Sequence, residues 1–224
     1  MTPWTKLVAG NPARRTRLHD EGGARIPVGL LARNLPFCLA SLAARKFTGE
    51  SAQVPWISYS GRERIARFLA AGGKRMLEFG SGNSTFWYAR RAGSLVSVEH
   101  DEAWYRTVAP RLAKLPNAEY RVAEKRSAYL DVSEDGPFDL IMIDGAWRDD
   151  CARFAVAHLV KGGAIYLDNS DKSAGEHTGN VPAARRLLID FAERSGLPWE
   201  EITDLAPGCL FAQRALLVGS IAEA

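Results

Sequence analysis

The chain has 224 residues, 46% of them hydrophobic, with a net charge of +3 and three cysteines. That length suits one α/β domain with an extension rather than two full domains, and so mild a charge makes no case for nucleic acid as a partner. Cys38, Cys151 and Cys209 are odd in number, far apart and without a C-x-x-C pair, which argues against a disulfide framework or a zinc site and makes a reducing cytoplasm the expected location.

Residues 1–55 read as a basic, partly helical extension, with Arg14, Arg15, Arg17, Arg25 and Arg33 ahead of any sheet element. A solvated segment is the plain reading of these charges, and a phosphate-binding arm is the alternative. The opening MTPWTKLVAGNP lacks the apolar core of a secretory signal. The most apolar stretch, Ile26 to Ala44, is broken by Pro27, Arg33, Asn34 and Pro36. It is expected to form a helix over the core or cleft, with contact at a membrane surface as the alternative, and it is too short and impure to span a bilayer. Gly49 to Pro55 reads as a linker into a domain over 56–224.

Within that domain Ser60 is expected to cap a helix running to Ala71, stopped by Gly72-Gly73. Met76 to Phe79 is a short buried strand broken by Gly80-Ser81-Gly82, followed by a helix from Ser84 to Arg91 and a second strand over Leu95 to Val98. Asp101 begins a helix with Trp104, Tyr105, Val108 and Leu112 on one side, and Ala118 to Ala123 alternates as a third strand. Phe138 to Ile143, FDLIMI, is nearly all apolar and should be central and buried on both faces. A helix over Trp147 to Val160, stopped by Gly162-Gly163, a fifth strand over Ala164 to Leu167 and a helix over Pro182 to Arg194 follow. Trp199 to Leu205 and Cys209 to Val218, joined by Pro207-Gly208, suit an antiparallel hairpin at a sheet edge. Strands joined by crossover helices make a doubly wound, mostly parallel seven-stranded sheet, with ligands beyond the carboxyl ends of its strands.

The turn after the first strand selects among ligands. A dinucleotide fingerprint needs a third glycine where this chain has Thr85. An ionised Glu78 about 4 Å from a phosphate would add on the order of 4 kcal/mol of repulsion, whereas a cationic ligand gains. The pattern acid-x-Gly-x-Gly from Glu78 to Gly82, with Glu99 closing the second strand, resembles the class I S-adenosylmethionine-dependent methyltransferases over roughly residues 56–219. The resemblance implies S-adenosylmethionine (SAM) as cofactor. Glu78 would face its amino-acid end, Gly80, Ser81 and Gly82 would let backbone approach, and Ser84 and Thr85 would offer helix-start amides to its carboxylate. Glu99 would accept both ribose hydroxyls, with His100 lining the ribose pocket.

Three strands end in a carboxylate, at Glu78, Asp144 and Asp168, and Asn169 follows the last. Asp144, Asp168 and Asn169 offer hard oxygen ligands suited to magnesium or calcium, though Asp and Asn are also ordinary turn residues. The set resembles that of metal-dependent O-methyltransferases of the catechol and macrolide-sugar types, which implies Mg2+ held by these residues to lower the acceptor's pKa and orient it. The catechol-type lysine base is missing: Arg148 stands near its place and stays protonated. His177, in the loop Ser173 to Gly179, is then the candidate base beside Asp144. The phrases VEHDEAWY, IDGAWRDDCA and LDNSD also resemble a group of bacterial methyltransferases within the same superfamily.

The expected function is O-methylation of a small-molecule hydroxyl, on a sugar or secondary metabolite. An NAD-dependent oxidoreductase and a non-catalytic ligand-binding protein with this fold are the alternatives.

Overall fold

The computed structural model describes residues 13–48 and 54–222. The opening dodecapeptide and most of the expected linker, 49–53, lie outside the described residues. In chain order the elements are α1 (Val28–Thr48), α2 (Tyr59–Leu69), β1 (Arg75–Phe79), α3 (Asn83–Ala89), β2 (Ser94–Glu99), α4 (Glu102–Leu112) and β3 (Ala118–Val122). They continue with α5 (Arg126–Tyr129), β4 (Phe138–Ile143), α6 (Arg148–His158), β5 (Leu159–Asp168), α7 (Val181–Ser195), β6 (Trp199–Ala206) and β7 (Cys209–Gly219).

The seven strands lie in the order β3-β2-β1-β4-β5-β7-β6. The first five pair in parallel, and β7 runs antiparallel to both its neighbours, β5 and β6. Strand alternation divides the core. Leu77, Phe79, Ile141, Ile143, Ile165 and Leu167 pack on α6 and α7, whereas Met76, Leu140, Met142 and Tyr166 pack on α2 and α3. A strand buried on both faces has no polar side to display, which is why β4 reads as an unbroken apolar run. The chain turns from one side of the sheet to the other between β1 and β4, and a crevice opens there at the carboxyl ends.

Two local expectations are corrected. Ser58, rather than Ser60, caps α2 by accepting from the Gly61 amide; Ser60 lies inside the helix, and its hydroxyl donates to Asp204. Gly162 and Gly163 do not end a helix, because β5 begins directly after His158 and both glycines lie within it. Gly162 takes φ +79°, and a Cβ on Gly163 would meet the Asp139 carbonyl at 2.9 Å, so this bulged start of β5 needs glycine.

The described part of the extension is docked on the hairpin. Ile26 and Cys38 pack against Leu205 and Ala212, and two buried aspartates fix the arrangement. Asp20 takes both arms of Arg214 at 2.8 and 3.1 Å, together with the Thr203 hydroxyl and the Ala24 amide. Asp204 accepts from Asn34, from the amide and hydroxyl of Ser60, and from the Leu205 amide. Among the described residues no helix is long and apolar enough to cross a membrane.

Candidate functional site

A cavity of about 270 Å3 opens at the crevice, near the small end for ligand pockets. It is lined by the turn 80–84, by Glu99 and His100 after β2, by Asp144 and Gly145 after β4, and by Val54, Trp56 and Trp104. The two glycines of the turn have different reasons to be glycine. Gly80 takes φ +97°, and a Cβ there would lie 2.5 Å from the Gly145 nitrogen, so it lets the ends of β1 and β4 close on each other. Gly82 is extended, and a Cβ on it would meet nothing nearer than 3.8 Å. The space beside Gly82 is the space a ligand would use.

Glu99 is held as a preformed acceptor. Its carboxylate receives the amides of Ser81 at 3.0 Å, His100 at 2.8 Å and Asp101 at 2.9 Å. Trp104 donates its indole N–H to the Ser81 carbonyl at 2.9 Å and so stiffens the turn. The helical pattern read Trp104 as one of a packed face, yet it is 39% exposed and walls the cavity. Its neighbours Val108 and Leu112 take the core positions.

Glu78 does not line the cavity, contrary to expectation. It shares a sheet face with Met76 and lies in register with Ser97, so its side chain points under α3. There it is 1% exposed and accepts the hydroxyls of Ser84 at 2.6 Å, Thr85 at 2.7 Å and Ser97 at 2.7 Å. Burial pushes its carboxyl up to about 7, against the pull of those three hydroxyls. Thr85 is likewise fully buried, between Glu78 and the Gly82 amide, rather than open to a ligand. Ser81 and Ser84 do reach the cavity, and the Ser81 hydroxyl, 2.7 Å from that of Ser97, links its wall to Glu78.

The tips of β4 and β5 form a second cluster. Asp144 and Asp168 lie close enough to act electrostatically on each other. Burial, and then the neighbouring Asp144 carboxylate, hold Asp168 well above the ordinary aspartate range. Asp168 Oδ1 is buried without a partner. Arg148, 4% exposed, ties the tips together by donating to the carbonyls of Asp144, Gly145 and Asp168 and, at 3.1 Å, to Asp144 Oδ1. Lys172 donates to Asn169 Oδ1 at 2.8 Å and acts electrostatically on both aspartates. Among the described residues, the non-glycine residues with positive φ are Trp147 and Asn169, one after each tip; asparagine tolerates that conformation and tryptophan resists it.

The expected metal set is therefore corrected. The donor set does not fit a divalent ion as it stands: Asn169 Oδ1 is engaged by an ammonium and Asp144 by a guanidinium. An ion bound at Asn169 would sit about 4–5 Å from Lys172, a repulsion on the order of 7 kcal/mol at an effective dielectric of 20. Among the described residues no group of three or more His, Cys, Asp or Glu could hold a metal.

The loop carrying His177 is drawn to the site by backbone, since the Trp147 and Arg148 amides donate to the carbonyls of His177 and Thr178 at 3.0 Å. The imidazole itself is exposed, with its ring 6.4 Å from that of His100. That puts it on the Glu99 side of the cavity.

No protein-family model matches the chain, and no curated protein matches its sequence. Solved structures do match. The O-methyltransferase TomG from Streptomyces achromogenes, involved in tomaymycin synthesis and solved with SAM, shares 21% identity over 81% of this chain and 88% of its own, with a TM-score of 0.57. Cofactor-bound Rv0187 from MTB shares 26% identity over 82% and 89%, with a TM-score of 0.58. The chain has the fold of the class I S-adenosylmethionine-dependent methyltransferases. The O-methyltransferase from Bacillus cereus, solved with S-adenosylhomocysteine, has the same methyltransferase fold at 18% identity, a TM-score of 0.58 and coverage of 83% and 91%.

Proposed function

We propose that the protein transfers the methyl group of SAM to a hydroxyl of a small molecule, a sugar or secondary metabolite. The observation that carries this reading is the cavity at the switch point, lined both by the unobstructed Gly82 and by a carboxylate held ready at the tip of β2. Support comes from the fold shared with TomG and the Bacillus cereus O-methyltransferase.

Glu99 would accept ribose hydroxyls, since three amides leave part of a carboxylate's acceptor capacity open. The backbone of 80–82 and the hydroxyls of Ser81 and Ser84 would meet the amino-acid end, with His100 and Trp104 as walls. Glu78 would act one layer down, through space and through its hydroxyl partners, by favouring positive charge above it.

The sulfonium supplies an electrophilic methyl: its S–C bond breaks as an O–C bond forms, and the acceptor's proton must go to a base. Asp144 is the residue we assign to take that proton, because its carboxylate reaches the cavity and burial favours its protonated form. His177 would close the adenosine side instead. Holding the acceptor oxygen in line with the methyl group supplies much of the acceleration.

Calorimetry with SAM and with NAD, followed by an acceptor screen for methyl transfer, tests the proposal. Heat from SAM alone and a methylated hydroxyl product are expected. Tight binding of NAD with indifference to SAM would overturn it.

A further inference from the structure

The cations at the tips of β4 and β5 go beyond that reading and rest on it. Asp144 and Asp168 bring two carboxylates to one rim; Arg148 and Lys172 bring two cations to the same rim. Charge is thus already matched where the resemblance called for a divalent ion. Lys172 does more than balance charge. It takes the oxygen of Asn169, the only neutral donor of the expected set, and secures that residue in its left-handed conformation. Arg148 is too buried, and too fully engaged with the carbonyls of Asp144, Gly145 and Asp168, to swing aside for an incoming ion. Lys172 is only partly buried, between this rim and a second cavity edged by Ser170, Arg186 and Arg214.

We infer that the Lys172 ammonium, with Arg148 behind it, stands where a divalent ion would stand, so that this rim works without a metal. Lys172 is a positioning residue: it holds Asn169 and offsets the negative charge of Asp144 and Asp168. The acceptor oxygen is then oriented by the protein and the cofactor, with no Lewis acid at this rim.

The test compares the wild-type chain with Lys172→Ala and Lys172→Arg, each stripped with EDTA and titrated with MgCl2 or MnCl2 while its melting temperature is followed. Wild type and Lys172→Arg should not respond. Lys172→Ala, with the Asn169 oxygen freed and one charge removed, should gain a site, its melting temperature rising by about 3–6 °C for each tenfold increase in free ion above Kd. Stabilisation of the wild type by either ion, or methyl transfer lost on chelation and restored by Mg2+, would overturn the inference. So would a folded Lys172→Ala that stays indifferent. SAM titration of the same samples separates the two proposals. A wild type that binds both SAM and Mg2+ sinks only this inference, and one that binds neither sinks the function while Lys172→Ala still decides the site.

Discussion

Two sets of buried carboxylates lie in one molecule and differ in how completely they are satisfied. Asp20 and Asp204, under the hairpin, each receive a full set of donors, and neither has an oxygen left over. Asp168 has an oxygen with no partner, and Glu78 is pushed up to about 7 despite three hydroxyl donors. A protein that can fully pair two acids, yet leaves an oxygen of Asp168 without a partner, has placed that deficit at the carboxyl end of its sheet. Satisfaction, rather than burial, separates Asp20 and Asp204 from Asp168.

The contrast can be broken most severely at Asp20. Its replacement by alanine strands the Arg214 guanidinium and should cost about 3–5 kcal/mol in urea unfolding, with no specific effect on SAM affinity once the chain is folded. Glu78 should instead reveal itself through pH. Its folded pKa lies above its unfolded value, so the folded state holds a proton that the unfolded chain has released. The resulting cost is absent below about 4.5, grows as pH rises to about 7, and is constant above. Over that window the wild type should lose about 3 kcal/mol relative to Glu78→Gln. SAM, being cationic, favours the ionised carboxylate, so its affinity should rise through pH 7 in the wild type and stay flat in Glu78→Gln; calorimetry across pH checks both.

Asp144→Asn should leave unfolding almost unchanged while lowering kcat on the order of 100-fold, as loss of a general base does. Equal losses of stability and rate would return Asp144 to the structural set. The smallest effect is expected at Glu99→Gln, where the amide nitrogen cannot accept and SAM affinity should fall roughly tenfold. Unchanged affinity would remove Glu99 from the ribose.

The fold was legible where periodicity has a single cause. Phe138 to Ile143 was read to the residue as β4, because a strand covered on both faces leaves no choice of side chain. The hairpin around Pro207-Gly208 was equally plain. The cavity was read in part: Gly80, Ser81, Gly82, Ser84, Glu99, His100 and Asp144 line it, whereas Glu78 and Thr85 lie beneath it. Which face of β1 would carry Glu78 depends on what packs there, and the three hydroxyls that receive it became visible only with α3 in place. Trp104 was misread because an aromatic at helical spacing looks the same whether it meets core or cavity. Asp20 and Asp204 carry no local signal at all: their partners lie as far away as Arg214 and Asn34, and only the folded chain brings them together.

Arg214 joins two parts of the molecule that the chain keeps far apart. Its guanidinium grips Asp20 in the N-terminal segment, and its carbonyl receives the amide of Ser170, two residues beyond Asp168. The segment before α1 and the rim at Asp168 thus share a single hinge pin. Amide hydrogen exchange at Ser170 should quicken when Asp20 is removed, making an N-terminal contact a control on how firmly the reacting end is held.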